Sequence, residues 1–124
     1  MEKLVIQGTE DTPDIILDKE KSHLNFSGKS LPENVNAFYA PVVKWIDDYC
    51  AAPNPNTELA INLSYFNTAS SKILLDILMK LADVRKKGHN LKVKWHYPSN
   101  DEDMLEAGKE YSEIVEMEFE LIAS

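Results

Sequence analysis

The sequence predicts a mixed α/β fold in the order βββ-α-β-α-β-α-β, with a sheet of five to six strands and about three helices mainly on one face. Three observations predict it. The first quarter of the chain holds short apolar alternations broken by polar turns, the pattern of an antiparallel meander. From Ser30 onward, stretches of helical spacing alternate with stretches of strand spacing, which implies parallel crossovers. The strands alternate apolar and polar, whereas a parallel sheet buried on both faces runs apolar throughout.

Leu4, Val5 and Ile6 form the first strand, closed near Gly8. Gly8 to Asp14 has turn composition. Asp14 to Asp18 is the second strand, Lys19 to Ser22 a hairpin loop, and His23 to Gly28 the third strand, with Leu24 and Phe26 on one face. Ser30-Leu31-Pro32-Glu33 has capping-box spacing. Val35, Phe38, Tyr39, Val42, Val43, Ile46, Tyr49 and Cys50 then keep the i, i+3, i+4 rule. Pro41 interrupts them, so the expectation is a kink, or a turn before Pro41 and a helix from there to about Ala51.

Glu58 to Ser64 is the fourth strand, with Leu59, Ile61 and Leu63 on one face. A helix from about Ala69 to Lys87 carries Ile73, Leu74, Ile77, Leu78, Leu81 and Ala82 as its apolar stripe, and Gly88 stops it. Leu91, Val93, Trp95 and Tyr97 alternate with Lys92, Lys94 and His96 in the fifth strand. Asp101-Glu102-Asp103 opens a third helix, where acids suit the positive dipole end. Val115, Met117, Phe119 and Leu121 alternate with Glu116, Glu118 and Glu120 in a last strand. If the fifth and sixth strands are neighbours, Lys92 and Lys94 face those glutamates across them.

At 124 residues the chain has the size of one domain spanning 1–124. Its net charge of −8 argues against nonspecific nucleic-acid binding and against docking on anionic lipid. Cys50 is alone, so no internal disulfide forms and secretion gains no support. The first residues do not form a signal peptide, and no run approaches a membrane span. A cytoplasmic protein is the expectation. His23, His89 and His96 lack metal-ligand spacing, so no metal or other cofactor is expected. Cys50 has no adjacent base and reads as a half-buried thiol. Trp45 falls off the helical stripe, as a tryptophan at the core's edge.

The stretch that stands out is Asn67-Thr68-Ala69-Ser70-Ser71, where a strand's carboxyl end meets a helix amino terminus, a frequent place for sites in α/β proteins. It has no catalytic base and no glycine to cradle a phosphate. It has three hydroxyls at a helix start. Asn67 or Thr68 can cap the helix, which leaves a hydroxyl to spare. A phosphate added there would lie over free backbone N–H groups and the positive dipole end.

At this turn the sequence resembles the SiaC family of bacterial regulatory phosphoproteins, which are distantly similar to STAS-domain anti-anti-sigma factors. The resemblance runs through GKSLPENVNAFYAPVVKWIDDY, then LAINLSYFNTASSKILLDIL, then the K-x-W-x-Y strand. STAS proteins carry an Asp-Ser-Ser-Gly-like motif whose serine is phosphorylated. Here Asn67-Thr68-Ala69-Ser70 takes that place, and these departures favour the SiaC branch, where threonine is the acceptor.

The resemblance implies a STAS-like fold and a non-enzymatic switch. The unphosphorylated form would bind and activate a GGDEF-type diguanylate cyclase, controlling cyclic-di-GMP and biofilm formation. An anti-sigma-like kinase would phosphorylate Thr68, and a PP2C-like phosphatase would reverse it. Asn67, Ser70, Ser71, Lys72 and Asp76 are expected to shape the kinase and partner surface, with Ser70 or Ser71 open as the true acceptor. The alternatives are an anti-anti-sigma factor, a small enzyme using Cys50 or the acidic loop, and a purely structural subunit.

Overall fold

A computed structural model describes residues 1–124. The elements are β1 (Leu4–Ile6), β2 (Asp14–Asp18), β3 (His23–Ser30), α1 (Val35–Ala51), β4 (Asn56–Phe66), α2 (Thr68–Lys86), β5 (Asn90–Tyr97), α3 (Glu102–Ile114) and β6 (Glu120–Ala123). They build one six-stranded sheet in the order β1-β2-β3-β4-β5-β6. β1, β2 and β3 pair antiparallel, and β3 through β6 pair parallel. Each crossover steps one strand in the same direction, so right-handed connections lay all three helices on one face. This is the STAS-like order expected from the sequence.

The core sits between that face and the helices. Leu24 and Phe26 of β3, Leu59, Ile61 and Leu63 of β4, and Val93 and Trp95 of β5 meet Tyr39, Val42, Ile46 and Tyr49 of α1 and Leu74, Ile77, Leu78 and Leu81 of α2. Each such aliphatic side chain stabilises the fold by about 1.5–3 kcal/mol relative to exposure. The other sheet face is uncovered. Asn62, Ser64 and Lys92 lie there exposed and Asn25 and Lys94 partly so, and Val5 and Ile16 join them as exposed apolar residues. No helix is long and apolar enough to cross a membrane.

Two expectations are corrected, and of the two alternatives at Pro41 the separate turn is excluded. Ser30 does not cap α1. It is the last residue of β3, fully buried, and Asn34 is the cap, its side chain accepting from the Ala37 N–H at 3.1 Å. α1 is continuous through Pro41. The proline cannot donate to the Ala37 carbonyl, but Ala37 is exposed, so water can take that bond, while Tyr39 and Val42 on either side are buried. Last, Val115 and Met117 are not strand residues. α3 ends in a Schellman turn, with the Met117 N–H on the Ser112 carbonyl (3.1 Å), the Glu116 N–H on that of Glu113 (3.2 Å), and Glu116 at φ 56°. The alternation of buried Val115 and Met117 is that of the turn, and β6 begins only at Glu120.

The expected charge ladder is met in part. Lys94 lies opposite Glu120 in register, but its Nζ bonds Glu58 on β4 at 2.9 Å, and Glu58 also meets His23 Nδ1 at 3.2 Å. Trp45 stands at the core's edge, stacked on Tyr49 at 5.3 Å with its Nε1–H on the Glu2 carbonyl.

Candidate functional site

β4 delivers the turn to the carboxyl end of the sheet and α2 starts from it. Asn67 is the cap. Its Oδ1 accepts from the Ser70 N–H at 2.8 Å, and its carbonyl accepts from the Ser71 N–H at 2.9 Å. The choice between Asn67 and Thr68 as cap is thus resolved, since Thr68 is the first helical residue.

The hydroxyls of the turn have separate fates. Ser70 is fully buried, and its Oγ donates to the Ser30 carbonyl at 3.0 Å. Ser30 Oγ donates to Ser70 Oγ at 2.8 Å, so the Tyr39 hydroxyl, 2.6 Å from Ser30 Oγ, is the donor there. The Ser30 carbonyl also takes the Asn67 N–H at 3.1 Å. Burial pushes the Tyr39 phenol above its ordinary value, and the bond to Ser30 partly offsets this. Ser71 is half-buried and hydrogen-bonded to the Tyr111 hydroxyl, which donates to the Ser71 carbonyl at 3.2 Å. Burial raises the Tyr111 phenol as well. Thr68 is exposed, and its hydroxyl makes no hydrogen bond within the protein.

Beneath the turn lies an aromatic cluster. Phe66, the last residue of β4, stands 6.2 Å from Trp95 and 6.3 Å from Tyr111, and those two rings are 5.5 Å apart. Trp95 Nε1 donates to the Met104 carbonyl at 3.0 Å. Gly108 is required there, because a Cβ on it would lie 2.6 Å from the indole ring.

Of the remaining residues expected at the surface, Lys72 is exposed and in no ion pair. Asp76 lies 3.8 Å from Lys80 and stands on the rim of a groove of about 540 Å³ between α1 and α2, with Tyr39, Ala40, Val43 and Ile73 as its apolar lining. The structure thus brings Asn67, Thr68, Ser70 and Ser71 together in one bolted turn, with Lys72 and Asp76 along the helix behind it. The sequence reading missed Ser30, Tyr39 and Tyr111, which do the bolting. Ser30 and Tyr111 lie 40 positions from the serines they hold, and no local pattern marks such a pairing. Elsewhere Cys50 is half-buried, its thiol pushed up to about 11 by burial and then by Asp47. No group of three or more His, Cys, Asp or Glu side chains could hold a metal ion.

A mixed sheet with its helices on one face, and a hydroxyl-bearing turn where the central strand hands over to a helix, defines a small STAS-like α/β module. Within that class, the model of the SiaC family of regulatory phosphoproteins matches residues 6–124, and the chain belongs to that family. It is 32% identical over 123 residues to an uncharacterized protein of Pseudomonas aeruginosa (strain UCBPP-PA14), covering 99% of this chain and 98% of that one. Among solved structures it resembles apo-SiaC from Pseudomonas aeruginosa, at 32% identity and a TM-score of 0.88 over 99% of this chain and 100% of the other. It also resembles SiaC from the complex in which it is the activator of the diguanylate cyclase SiaD, at 32% identity and a TM-score of 0.91 over 98% and 99% of the two chains.

Proposed function

We propose that this protein is a non-enzymatic signalling switch controlled by phosphorylation of Thr68. In this reading the unphosphorylated form binds and activates a GGDEF-type diguanylate cyclase, and so sets cyclic-di-GMP and biofilm formation. An anti-sigma-like kinase transfers the γ-phosphoryl group of ATP to Thr68 Oγ1, releasing ADP and the hydroxyl proton. A PP2C-like phosphatase hydrolyses the ester and restores the threonine. The protein works in the cytoplasm, where its kinase finds ATP.

The observation that carries the reading is the unequal bonding of the turn. Ser70 is fully buried and Ser71 is engaged by Tyr111, whereas Thr68 is exposed with a free hydroxyl. A kinase has to surround its acceptor, and only Thr68 offers that without unfolding the turn. The solved complex of a SiaC with a diguanylate cyclase supports the choice of partner.

The test is incubation with ATP and an anti-sigma-like serine/threonine kinase, followed by intact mass and peptide mapping. One phosphate on Thr68 is the expected result, and Thr68→Ala abolishes it. A phosphate on Ser70 or Ser71 instead would sink the assignment. Copurification of the cyclase with wild type and Thr68→Ala, but not with Thr68→Asp, tests the switch. Capture of an anti-sigma kinase that also holds a sigma factor would turn the reading to an anti-anti-sigma factor.

A further inference from the structure

Two pairs spaced four residues apart, acid before base, lie along α2 and its C-cap Lys87. Asp76 lies 3.8 Å from Lys80, and Asp83 lies 3.2 Å from Lys87. That is the favourable order for such pairs on a helix. Eight residues before Lys80 the next base is Lys72, exposed and in no ion pair, and the place four residues before it is held by Thr68. Lys72 does not turn to Asp76 in the reverse order, because Asp76 and Asp47 both face Lys80, the latter at 2.6 Å.

We propose that phosphothreonine at position 68 takes Lys72 as its internal counter-ion. The inference rests on the phosphorylation reading and names how the charge is read. Thr68 and Lys72 are one turn apart, a rise of about 6 Å, so their side chains share a face. The phosphate carries nearly two negative charges near neutral pH. It stands four residues before Lys72 and makes a third pair of the same order. In the unmodified protein Lys72 is a free cation beside the turn, suited to an acidic side chain of a partner. Phosphorylation ties up that cation and leaves residual negative charge, so an acidic partner surface is released. The turn itself need not move, because its hydroxyls and amides are already bonded to Ser30, Tyr39 and Tyr111.

The charged groups on the neighbouring elements are Lys29, the residue before the end of β3, Glu33 before α1, Glu110 beside Tyr111 on α3, and Asp76 further along α2. The experiment separates them. The chain is made with phosphothreonine incorporated at position 68 during synthesis, and the phosphate is titrated by phosphorus NMR. Lys72→Met raises the phosphate pKa by about 0.2–0.4 unit relative to the wild-type chain. Lys72→Arg restores it, and Lys80→Met and Lys29→Met leave it unchanged. A Lys72→Met chain that titrates like wild type overturns the proposal, as does a shift that follows Lys29 instead. Failure of the phosphorylation reading would show elsewhere, as a kinase reaction that leaves Thr68 unmodified.

Discussion

At the scale of single residues, the turn sorts three neighbouring hydroxyls by what each touches. Ser70 is a structural bolt, and removing it leaves the Ser30 carbonyl with one donor fewer in a closed site. Ser70→Ala is therefore expected to cost about 1–2 kcal/mol in urea denaturation. Thr68→Ala stays within about 0.5 kcal/mol, since the exposed hydroxyl bonds nothing. Equal losses for the two would contradict the assignment of roles. The sequence showed that the turn had more hydroxyls than a cap needs. It did not show which one was spare, because the deciding partners, Ser30 and Tyr111, arrive by folding of segments 40 positions away. Cys50 was legible as a half-buried thiol. With its pKa moved from 9.0 to about 11, alkylation by iodoacetamide near neutral pH is expected to run about a hundredfold slower than for an ordinary thiol. A rate equal to that of glutathione would show the thiol to be accessible and unshifted.

At the scale of elements, helix ends were the hardest feature to read and the middles the easiest. Gly88 terminates α2 as expected, at φ 99°, with the His89 N–H on the Val84 carbonyl at 3.3 Å. α3 makes the same turn with Glu116 in glycine's place, and a glutamate gives no sequence signal for it. The buried pair Val115 and Met117 then mimics a strand. The start of α2 is the element that matters most here. Asn67 caps it, and its first turn holds no acid. A phosphate on Thr68 supplies negative charge at the positive dipole end, worth about 0.3–1 kcal/mol at low ionic strength. Phosphorylation is thus expected to raise the melting temperature by a few degrees and to lose that effect in high salt. A phosphoprotein less stable than its parent would mean that the turn rearranges. Gly108→Ala tests the other side of the site. Its Cβ would press on Trp95 and cost about 1–3 kcal/mol, unless α3 backs away from β5.

At the scale of the whole molecule, the sheet separates two tasks. One face holds the core and the helices, and the other carries a polar network in water. The alternation of the strands made this division legible, but the partners across the sheet depended on register. Lys94 was expected to face the glutamates after α3; it lies opposite Glu120 in register but bonds Glu58, which also faces His23. Glu58 and Lys94 report one interaction from two ends. The hydrogen bond from Lys94 is the main cause that holds the Glu58 carboxyl below its ordinary 4.5, and the same bond holds Lys94 above its ordinary 10.5. A depressed carboxyl stabilises the fold fully above its unfolded value and stops doing so as pH falls through its folded value. A raised lysine stabilises fully below its unfolded value and stops as pH rises through its folded one. The pair therefore contributes across the whole interval between about 4.5 and 10.5 and fades outside it. Both side chains are about one-third exposed, so solvent screening keeps the effect small. Glu58→Gln is expected to lower the melting temperature slightly near neutral pH and to converge with wild type as the pH falls well below 4.5. A difference that persists or widens in acid would mean that the Glu58 side chain stabilises the sheet by packing, with its charge secondary.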